Sequence, residues 1–259
     1  MIRRPFAHVL VLGLLLGACT SSDPAGQGDT QGTGAEVDVG DPVTETPEEP
    51  EPDRLLPEGV DVVAEPRERY TPMYEAPGDR KVAYAFDTRN DTEDLAPMLI
   101  VGATRRDGDP WYEVMLPLRP NGTTAWVRER DVKLRERTER IEVDLSKRTL
   151  EYLVDGEVAE HYKVGIGTDQ YPTTTGEFYV YVKVPYDDPN QPYGIMALGL
   201  SGFSRVITDW PGGGRIAVHG TPYASNRGQA VSHGCVRVYN QDMESLLDVP
   251  LGTPVVISE

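Results

Sequence analysis

Short β-type runs separated by tight turns dominate residues 59–258 of this chain, and only one segment has helical spacing. Asn121-Gly122 and Asp155-Gly156 are dipeptides that favour tight reversals between neighbouring strands. The helical segment, from Asn240 to Leu247, places its apolar residues three and four positions apart. This pattern predicts a mainly β fold with a short helix near the end of the chain.

Residues 59–136 are predicted to form a first folded part, a small β-barrel. Its candidate strands are the apolar or aromatic runs Val82–Phe86, Pro97–Val101, Trp111–Leu116 and Thr124–Val127. The order of Trp111-Tyr112, Asn121-Gly122, Trp126-Val127 and Asp131-Val132 resembles a bacterial SH3-like domain. The resemblance implies a domain that binds cell-wall peptides. The alternative is a packing partner that positions the domain after it.

Residues 138–258 are predicted to form a second, β-rich domain. Arg140–Leu145 alternates apolar and polar side chains, as a strand with one buried face does. The turn at Asp155-Gly156 lies between two further β-type runs and predicts a hairpin. The segment 185–210, with Tyr193, Phe203 and Trp210, fits either core and loop or a wall beside a substrate.

The first residues have the features of an export signal. Arg3 and Arg4 precede an apolar run that is too short to span a bilayer core of about 30 Å. Leu16-Gly17-Ala18-Cys19 resembles a bacterial lipobox, which implies cleavage before Cys19 and attachment of lipid to its thiol. The alternative is an ordinary secretory signal that is cut near Ala18. We therefore predict a signal peptide at 1–18 and an extracytoplasmic protein anchored to a membrane by lipid.

An acidic segment with few large apolar residues follows at 19–58. Residues 20–58 hold eleven acidic side chains and one basic side chain, Arg54. Such a segment cannot bury enough apolar surface to offset its ordering entropy, and it is predicted to be a disordered tether. The formal charge of the whole chain is −17, which argues against the basic face of a nucleic-acid-binding protein.

Cys235 is the only free cysteine if Cys19 carries lipid, because the chain has two cysteines. A lone thiol in an oxidising compartment has no disulfide partner, which favours a chemical role. Cys235 lies in the run Ser232-His233-Gly234-Cys235-Val236-Arg237, and His219 lies at the end of a β-type run upstream.

The residue types around Cys235 fit nucleophilic catalysis. A nearby imidazolium lowers the pKa of a cysteine thiol below its free value of about 8.5, which makes His219 the candidate base. Amides around Gly234 and Cys235 are candidates for holding an oxyanion, and Arg237 for binding a carboxylate. Three alternatives remain: an inert buried thiol, a zinc site that combines Cys235 with His219 and His233, and a merely structural role for His219 or His233.

His219-Gly220-Thr221 followed by Ser232–Arg237 resembles the L,D-transpeptidase (YkuD-type) catalytic domain. Pro172–Phe178 resembles a segment that is common in the same family, and the resemblance covers about residues 138–258. It implies a mostly β fold in which Cys235 attacks a peptidoglycan stem peptide and His219 acts as the general base.

The resemblance also implies roles for neighbouring residues. Some family members have Ser or Asp after the histidine; here Gly220 stands there, which implies that a backbone carbonyl orients the ring. His233 and Ser232 would shape the pocket and the oxyanion hole together with Gly234, and Arg237 would contact the substrate. His161 lies outside the motif, and we assign it a structural role only.

The implied reaction is acyl transfer by way of a thioester. D-Ala leaves, and an amine from a neighbouring stem gives a 3→3 cross-link without a metal or organic cofactor. Carbapenem β-lactams are implied to acylate the same thiol. Three alternatives stay open: transfer to a different amine, hydrolysis of the thioester by an L,D-carboxypeptidase or endopeptidase, and a wall-binding lipoprotein whose catalytic domain is dead.

Overall fold

Seventeen strands and one short α-helix make up residues 54–259, the part of the chain that the computed structural model describes. The mainly β fold class predicted from the sequence is confirmed. The predicted signal peptide at 1–18, the lipidation site Cys19 and most of the tether at 19–58 lie outside the described residues. Among residues 54–259, no helix has the length and apolar character needed to cross a bilayer.

Seven strands form the N-terminal part of the described chain: β1 (Asp61–Pro66), β2 (Tyr70–Met73), β3 (Tyr84–Asp87), β4 (Met98–Arg106), β5 (Asp109–Met115), β6 (Thr124–Arg128) and β7 (Val132–Arg137). Five of them pair antiparallel in the order β6-β5-β4-β1-β7, and a 3₁₀ turn at Glu129–Asp131 leads into β7. β2 and β3 form a separate hairpin, which an antiparallel bridge from Tyr74 to Trp126 joins to β6. The SH3-like assignment stays a prediction.

Alternating apolar residues of these strands meet in one core. Tyr112 and Val114 of β5 and Val127 of β6 belong to it. Leu55 and Leu56 pack against the same core, although the sequence predicts a disordered tether through residue 58. The folded part therefore begins before residue 59, because these two leucines bury apolar surface that the rest of the tether lacks.

Ten strands and the α-helix form the C-terminal part: β8 (Glu139–Asp144), β9 (Thr149–Val154), β10 (Glu157–Lys163), β11 (Ile166–Gly167), β12 (Gly176–Pro185), β13 (Met196–Phe203), β14 (Arg215–Thr221), β15 (Ala230–Ser232), β16 (Val236–Tyr239), α1 (Asn240–Met243) and β17 (Pro254–Ser258). Eight of these strands form one sheet in the order β10-β9-β8-β17-β12-β13-β14-β16, and β11 pairs parallel with β15. Short 3₁₀ turns occupy Pro211–Gly214, Ala224–Asn226 and Glu244–Leu246.

The last strand ties this sheet together. β17 pairs parallel with β8 and antiparallel with β12, so the predicted hairpin of β9 and β10 joins the strands that carry the Cys–His segment. Beneath the sheet, a core that includes Leu150, Leu198, Val218 and Leu246 is fully buried. Each such side chain contributes about 1.5–3 kcal/mol by its burial. The fold therefore holds β14 and β16 rigidly.

A third apolar cluster joins the N-terminal and C-terminal parts. Val63 and Leu99 of the N-terminal sheet pack there against Tyr179 and Tyr181 of β12. Tyr179 is fully buried, and its hydroxyl donates to the Met115 carbonyl at 3.3 Å. The two parts therefore share a core, and each depends on the other for stability.

We predict that Tyr179→Ala lowers the free energy of unfolding by about 3–5 kcal/mol, the usual cost of truncating a buried aromatic side chain. Urea denaturation of the full chain measures this change. The matched control is Tyr70→Ala, because Tyr70 is 55% exposed and such surface changes usually stay within about 0.5 kcal/mol. Equal effects of the two substitutions would contradict the shared core.

Candidate functional site

His219 is held in one orientation by a backbone hydrogen bond. It lies on β14 and is buried, and its Nδ1 lies 2.7 Å from the carbonyl oxygen of Gly220. A carbonyl oxygen only accepts hydrogen bonds, so Nδ1 carries the proton and donates. In the neutral ring, Nε2 then keeps its lone pair and is available as a base.

Burial keeps the His219 ring neutral. Loss of solvent is the main cause that lowers the pKa of His219, the hydrogen bond to Gly220 opposes it and the charge of Arg237 adds to it; together they bring the pKa to about 4. At neutral pH the ring is therefore an unprotonated base, as general-base catalysis requires.

Close packing explains why residue 220 is a glycine. A Cβ added to Gly220 would lie 2.6 Å from Asn240 Oδ1 and 3.0 Å from the backbone nitrogen of Ile195. A side chain at residue 220, such as the Ser or Asp of some family members, therefore has no room in this structure. The backbone carbonyl of Gly220 itself takes the orienting position that the sequence assigns to a carbonyl.

Strand pairing brings Cys235 to the same face of the sheet as His219. β14 and β16 run parallel, with Val218 opposite Val236 and His219 opposite Arg237. Side chains alternate between the two faces of a strand, so residues 217, 219, 235 and 237 point the same way. Cys235 immediately precedes β16 and is partly exposed.

The turn before Cys235 is stabilised by Ser232. Its hydroxyl donates to the Cys235 carbonyl at 2.6 Å and accepts from the Gly234 N–H at 3.0 Å. Gly234 has φ of +113°, a conformation that L side chains rarely adopt. The N–H of Gly234 is bonded to Ser232, so Gly234 shapes the turn that carries Cys235, and its oxyanion role stays a prediction.

The thiol of Cys235 is protonated in the resting structure. Burial raises the pKa of Cys235, while a hydrogen bond with the Ala217 backbone and the charge of Arg237 act in the opposite direction. The sequence predicts that a nearby imidazolium lowers the pKa of this thiol, whereas burial raises the pKa in the structure. Both partners are poorly solvated, so both are neutral, because burial disfavours the charged form of each group.

One cavity of about 320 Å³ joins the predicted site residues. Five of them line it: His219, Ser232, His233, Cys235 and Arg237. Gly220 and Gly234 lie beside the cavity as buried backbone. Within the described residues, no hydrogen bond joins Cys235 directly to His219, whose bonded partner is the Gly220 carbonyl.

Aromatic side chains surround the two histidines of the cavity. The exposed ring of His233 packs between Tyr171 and Trp210, with centroid distances of 4.7 and 5.0 Å. Tyr193 meets His219 edge to face at 5.0 Å. Tyr193 and Trp210 both line the cavity, so the segment 185–210 supplies part of its wall. Phe203, from the same segment, is buried instead.

Arg237 combines a fixed backbone with a cation in the cavity. Its backbone exchanges two hydrogen bonds with Gly165, and its Nη1 donates to Asn226 Oδ1 at 3.2 Å. Its Nε is buried and has no hydrogen-bond partner among the described residues. This geometry leaves the guanidinium able to bind a carboxylate.

Some residues around the cavity were not identified from the sequence, among them Arg215 and Tyr171. Arg215 and Tyr171 contribute to the surroundings of the site, the first by lining the cavity and the second through His233. Arg215 lies two and four positions before Ala217 and His219, so strand alternation was a usable signal for it.

His161 lies elsewhere and pairs with Glu151 across two strands at 3.0 Å. Among residues 54–259, no group of three or more His, Cys, Asp and Glu side chains is arranged to hold a metal ion.

Comparison with known proteins matches residues 138–257 to the L,D-transpeptidase catalytic domain (YkuD) family. YkuD of Bacillus subtilis is 32% identical over 119 residues, which cover 46% of this chain and 65% of YkuD. YqjB of the same organism is 34% identical over 131 residues, which cover 45% of this chain and 70% of YqjB. The chain therefore spans just under two thirds of YkuD.

A solved structure of the Enterococcus faecium (E. faecium) L,D-transpeptidase catalytic domain, acylated by ertapenem, is also similar. It is 26% identical, and the match covers 47% of this chain and 97% of that domain at a TM-score of 0.36.

The neutral state of Cys235 has a direct spectroscopic consequence. We predict that the ultraviolet absorbance of a thiolate is absent near neutral pH and appears only above the ordinary cysteine pKa of about 8.5, because burial raises the pKa of this thiol. The measurement is a pH titration of the wild-type spectrum minus that of Cys235→Ser. Thiolate absorbance already present in mildly acidic solution would contradict the neutral pair.

Proposed function

The chain belongs to the YkuD family of L,D-transpeptidase catalytic domains, and we propose that it transfers acyl groups between peptidoglycan stem peptides through Cys235. The observation that carries this proposal is a single cavity that contains both the Cys235 thiol and the neutral imidazole of His219. Covalent catalysis by cysteine needs a base of this kind to take the thiol proton.

The first half-reaction forms a thioester. Cys235 passes its proton to Nε2 of His219 while its sulfur attacks the carbonyl between the third-position diamino acid and the terminal D-Ala. The tetrahedral intermediate collapses by breaking the C–N bond. His219 returns the proton to the departing amine of D-Ala, so the imidazole is neutral again when the acyl group is bound to sulfur.

The second half-reaction moves the acyl group to an amine. The side-chain amine of a neighbouring stem attacks the thioester carbonyl and gives a proton to His219. The C–S bond breaks, and the sulfur of Cys235 recovers a proton from the imidazolium. The product is a 3→3 cross-link, and the proposed sequence uses no metal or organic cofactor.

A neutral resting pair suits Cys235, which is a free thiol in the described part of the chain. Oxidation of cysteine follows its thiolate character, so a protonated Cys235 resists oxidants until a substrate arrives. Proton transfer to His219 during the attack then generates the nucleophile where it is used. The raised pKa of Cys235 and the lowered pKa of His219 support this order of events.

The remaining cavity residues are proposed to bind the stem peptide. Arg237 is the candidate for a substrate carboxylate, because its Nε has no other partner among the described residues. His233 and Trp210 are placed to pack against the peptide, and Ser232 fixes the turn that presents Cys235. Carbapenem β-lactams are proposed to acylate Cys235, since their strained carbonyl is open to the same attack.

We propose an extracytoplasmic location with lipid on Cys19, on the basis of the lipobox-like Leu16-Gly17-Ala18-Cys19. The N-terminal β part is then available to the cell wall together with the cavity. We also propose that the SH3-like part binds wall peptides.

We predict that Cys235→Ala abolishes turnover of a disaccharide tetrapeptide and that His219→Ala lowers kcat about 10²–10⁴-fold, the usual contribution of a positioned general base. Mass spectrometry of the products measures both, and the mass of the intact protein after carbapenem treatment shows whether an adduct forms on Cys235. His161→Ala is the matched histidine control and is expected to act as wild type. Near-normal rates in His219→Ala together with an inactive His233→Ala would refute the assignment of the base.

Product analysis also separates transfer from hydrolysis. Cross-linked dimers are expected for a transpeptidase, whereas loss of D-Ala without dimers would identify a carboxypeptidase. A wild-type protein that forms no thioester with the tetrapeptide and no carbapenem adduct would refute the proposed enzyme.

The lipid anchor has its own test. We predict that Cys19→Ala moves the protein from the membrane fraction to the soluble fraction after cell lysis, because the acyl chains are lost. Immunoblotting of the two fractions measures the shift, with wild type as the control. Continued membrane association of Cys19→Ala would contradict lipid anchoring.

A further inference from the structure

The turn between β5 and β6 of the N-terminal part reaches the wall of the catalytic cavity. This turn, residues 116–123, is closed by a backbone hydrogen bond from Leu116 to Thr123 and by a second from Thr123 to Pro120. Its side chains Arg119 and Asn121 extend to the C-terminal part and bond there to the segment after β13.

Arg119 binds three backbone carbonyls of that segment. Its Nη1 donates to Ser204 O at 2.9 Å, and its Nη2 donates to Ile207 O at 3.0 Å and to Gly213 O at 2.8 Å. Its guanidinium also lies over the Phe203 ring, 4.8 Å from the centroid. One side chain thus bonds near both ends and in the middle of residues 204–214.

Asn121 holds the start of the same segment. Its Nδ2 donates to Phe203 O at 2.8 Å, and its Oδ1 accepts from Phe203 N–H at 2.9 Å. The amide side chain therefore pairs with both backbone groups of one residue, as a neighbouring strand would. Phe203 is the last residue of β13, so this pairing sets the direction in which the chain leaves the sheet.

The segment that these bonds hold is a wall of the cavity. Ser204, Ile207, Trp210 and Gly214 line the cavity, and Trp210 packs on His233. Its last part contains Gly212-Gly213-Gly214, all with positive φ. Three glycines in a row give the backbone many accessible conformations. The segment closes on itself through a hydrogen bond from Ser204 N–H to Gly214 O at 2.8 Å, and the bonds from Arg119 restrict it further.

We propose that Arg119 and Asn121 are positioning residues for the reaction. They hold residues 204–214, the part of the cavity wall that carries Trp210, in the conformation that binds the stem peptide. The inference rests on the proposed function. It makes the N-terminal part a component of the catalytic site, because the hydrogen bonds that shape one wall come from its β5–β6 turn. Neither residue contacts the thiol or the base, so both act through the wall.

The test compares Arg119→Ala, Arg119→Lys and Arg105→Ala in the full chain. Arg105 is the matched control, because it is exposed and its recorded side-chain bond reaches only Gly108 in its own hairpin. Arg119 is exposed, so water competes for its hydrogen bonds. We therefore expect kcat/KM for the tetrapeptide to fall about tenfold in Arg119→Ala, less than the about 100-fold that misplacement by 1 Å can cost. The fall in kcat/KM is expected to come mainly from a higher KM. Arg119→Lys is expected to recover part of it, because lysine keeps the positive charge but lacks the several N–H donors of the planar guanidinium.

Two further readouts separate positioning from a general loss of structure. The rate of Cys235 alkylation by iodoacetamide is expected to stay within twofold of wild type in Arg119→Ala, since this small reagent does not need the wall. Hydrogen exchange of the backbone amides in 204–214 is expected to rise at least severalfold in Arg119→Ala and to stay unchanged in Arg105→Ala.

Unchanged exchange or a kcat/KM within twofold of wild type in folded Arg119→Ala would overturn the inference. If that variant does not fold, Arg119→Lys decides: faster exchange in 204–214 with a reduced kcat/KM supports the inference, and wild-type values for both overturn it. Hydrogen exchange does not depend on catalysis. An inactive wild type would therefore refute the proposed function, while the exchange rates would still test whether Arg119 holds residues 204–214.

Discussion

The parallel pairing of β14 with β16 is the constraint on which the site depends. It sets His219 opposite Arg237 and carries Cys235 to the same face, one residue before β16 begins. The buried core beneath these strands prevents a shift in register, which would turn every side chain to the other face. The hydrogen bond from Nδ1 of His219 to the Gly220 carbonyl then fixes the ring, and burial keeps it neutral. This placement puts a protonated thiol and an unprotonated imidazole in one cavity. The proton then moves from Cys235 to His219 only when the sulfur attacks a bound substrate.

Sequence patterns were sufficient for the parts of the fold that follow local rules. Asp155-Gly156 predicted the hairpin of β9 and β10, and helical spacing predicted α1, which begins at Asn240 as expected. The motif from Ser232 to Arg237 identified the residues of the cavity, because their chemistry is coherent and their spacing is short. Replacement of the usual polar residue by Gly220 predicted an orienting carbonyl, and the structure has one in that position.

Tertiary packing determined what the sequence did not reveal. β13 was missed because Gly199 and Gly202 weaken its strand pattern, yet the absence of Cβ lets the strand approach Val182 and Phe178 closely. The pKa of Cys235 was expected to be low, but burial raises it by more than the hydrogen bond to Ala217 and the charge of Arg237 lower it. The hydrogen bond from the Gly234 N–H to Ser232 Oγ is likewise seen only in three dimensions. The contribution of the N-terminal part to the cavity wall arises from contacts between residues far apart in the sequence. Arg119 and Ser204, for example, are 85 residues apart, and no local pattern encodes such a contact.

The central claim is that His219 is a neutral base with its proton on Nδ1 and its lone pair on Nε2. Nitrogen NMR of the ¹⁵N-labelled imidazole in the full chain tests this most directly, with the His219→Gln spectrum to assign the signals. We predict one protonated and one unprotonated ring nitrogen at neutral pH, with protonation of the ring only near a pKa of about 4. A doubly protonated ring at neutral pH, or a proton on Nε2 in place of Nδ1, would contradict the account.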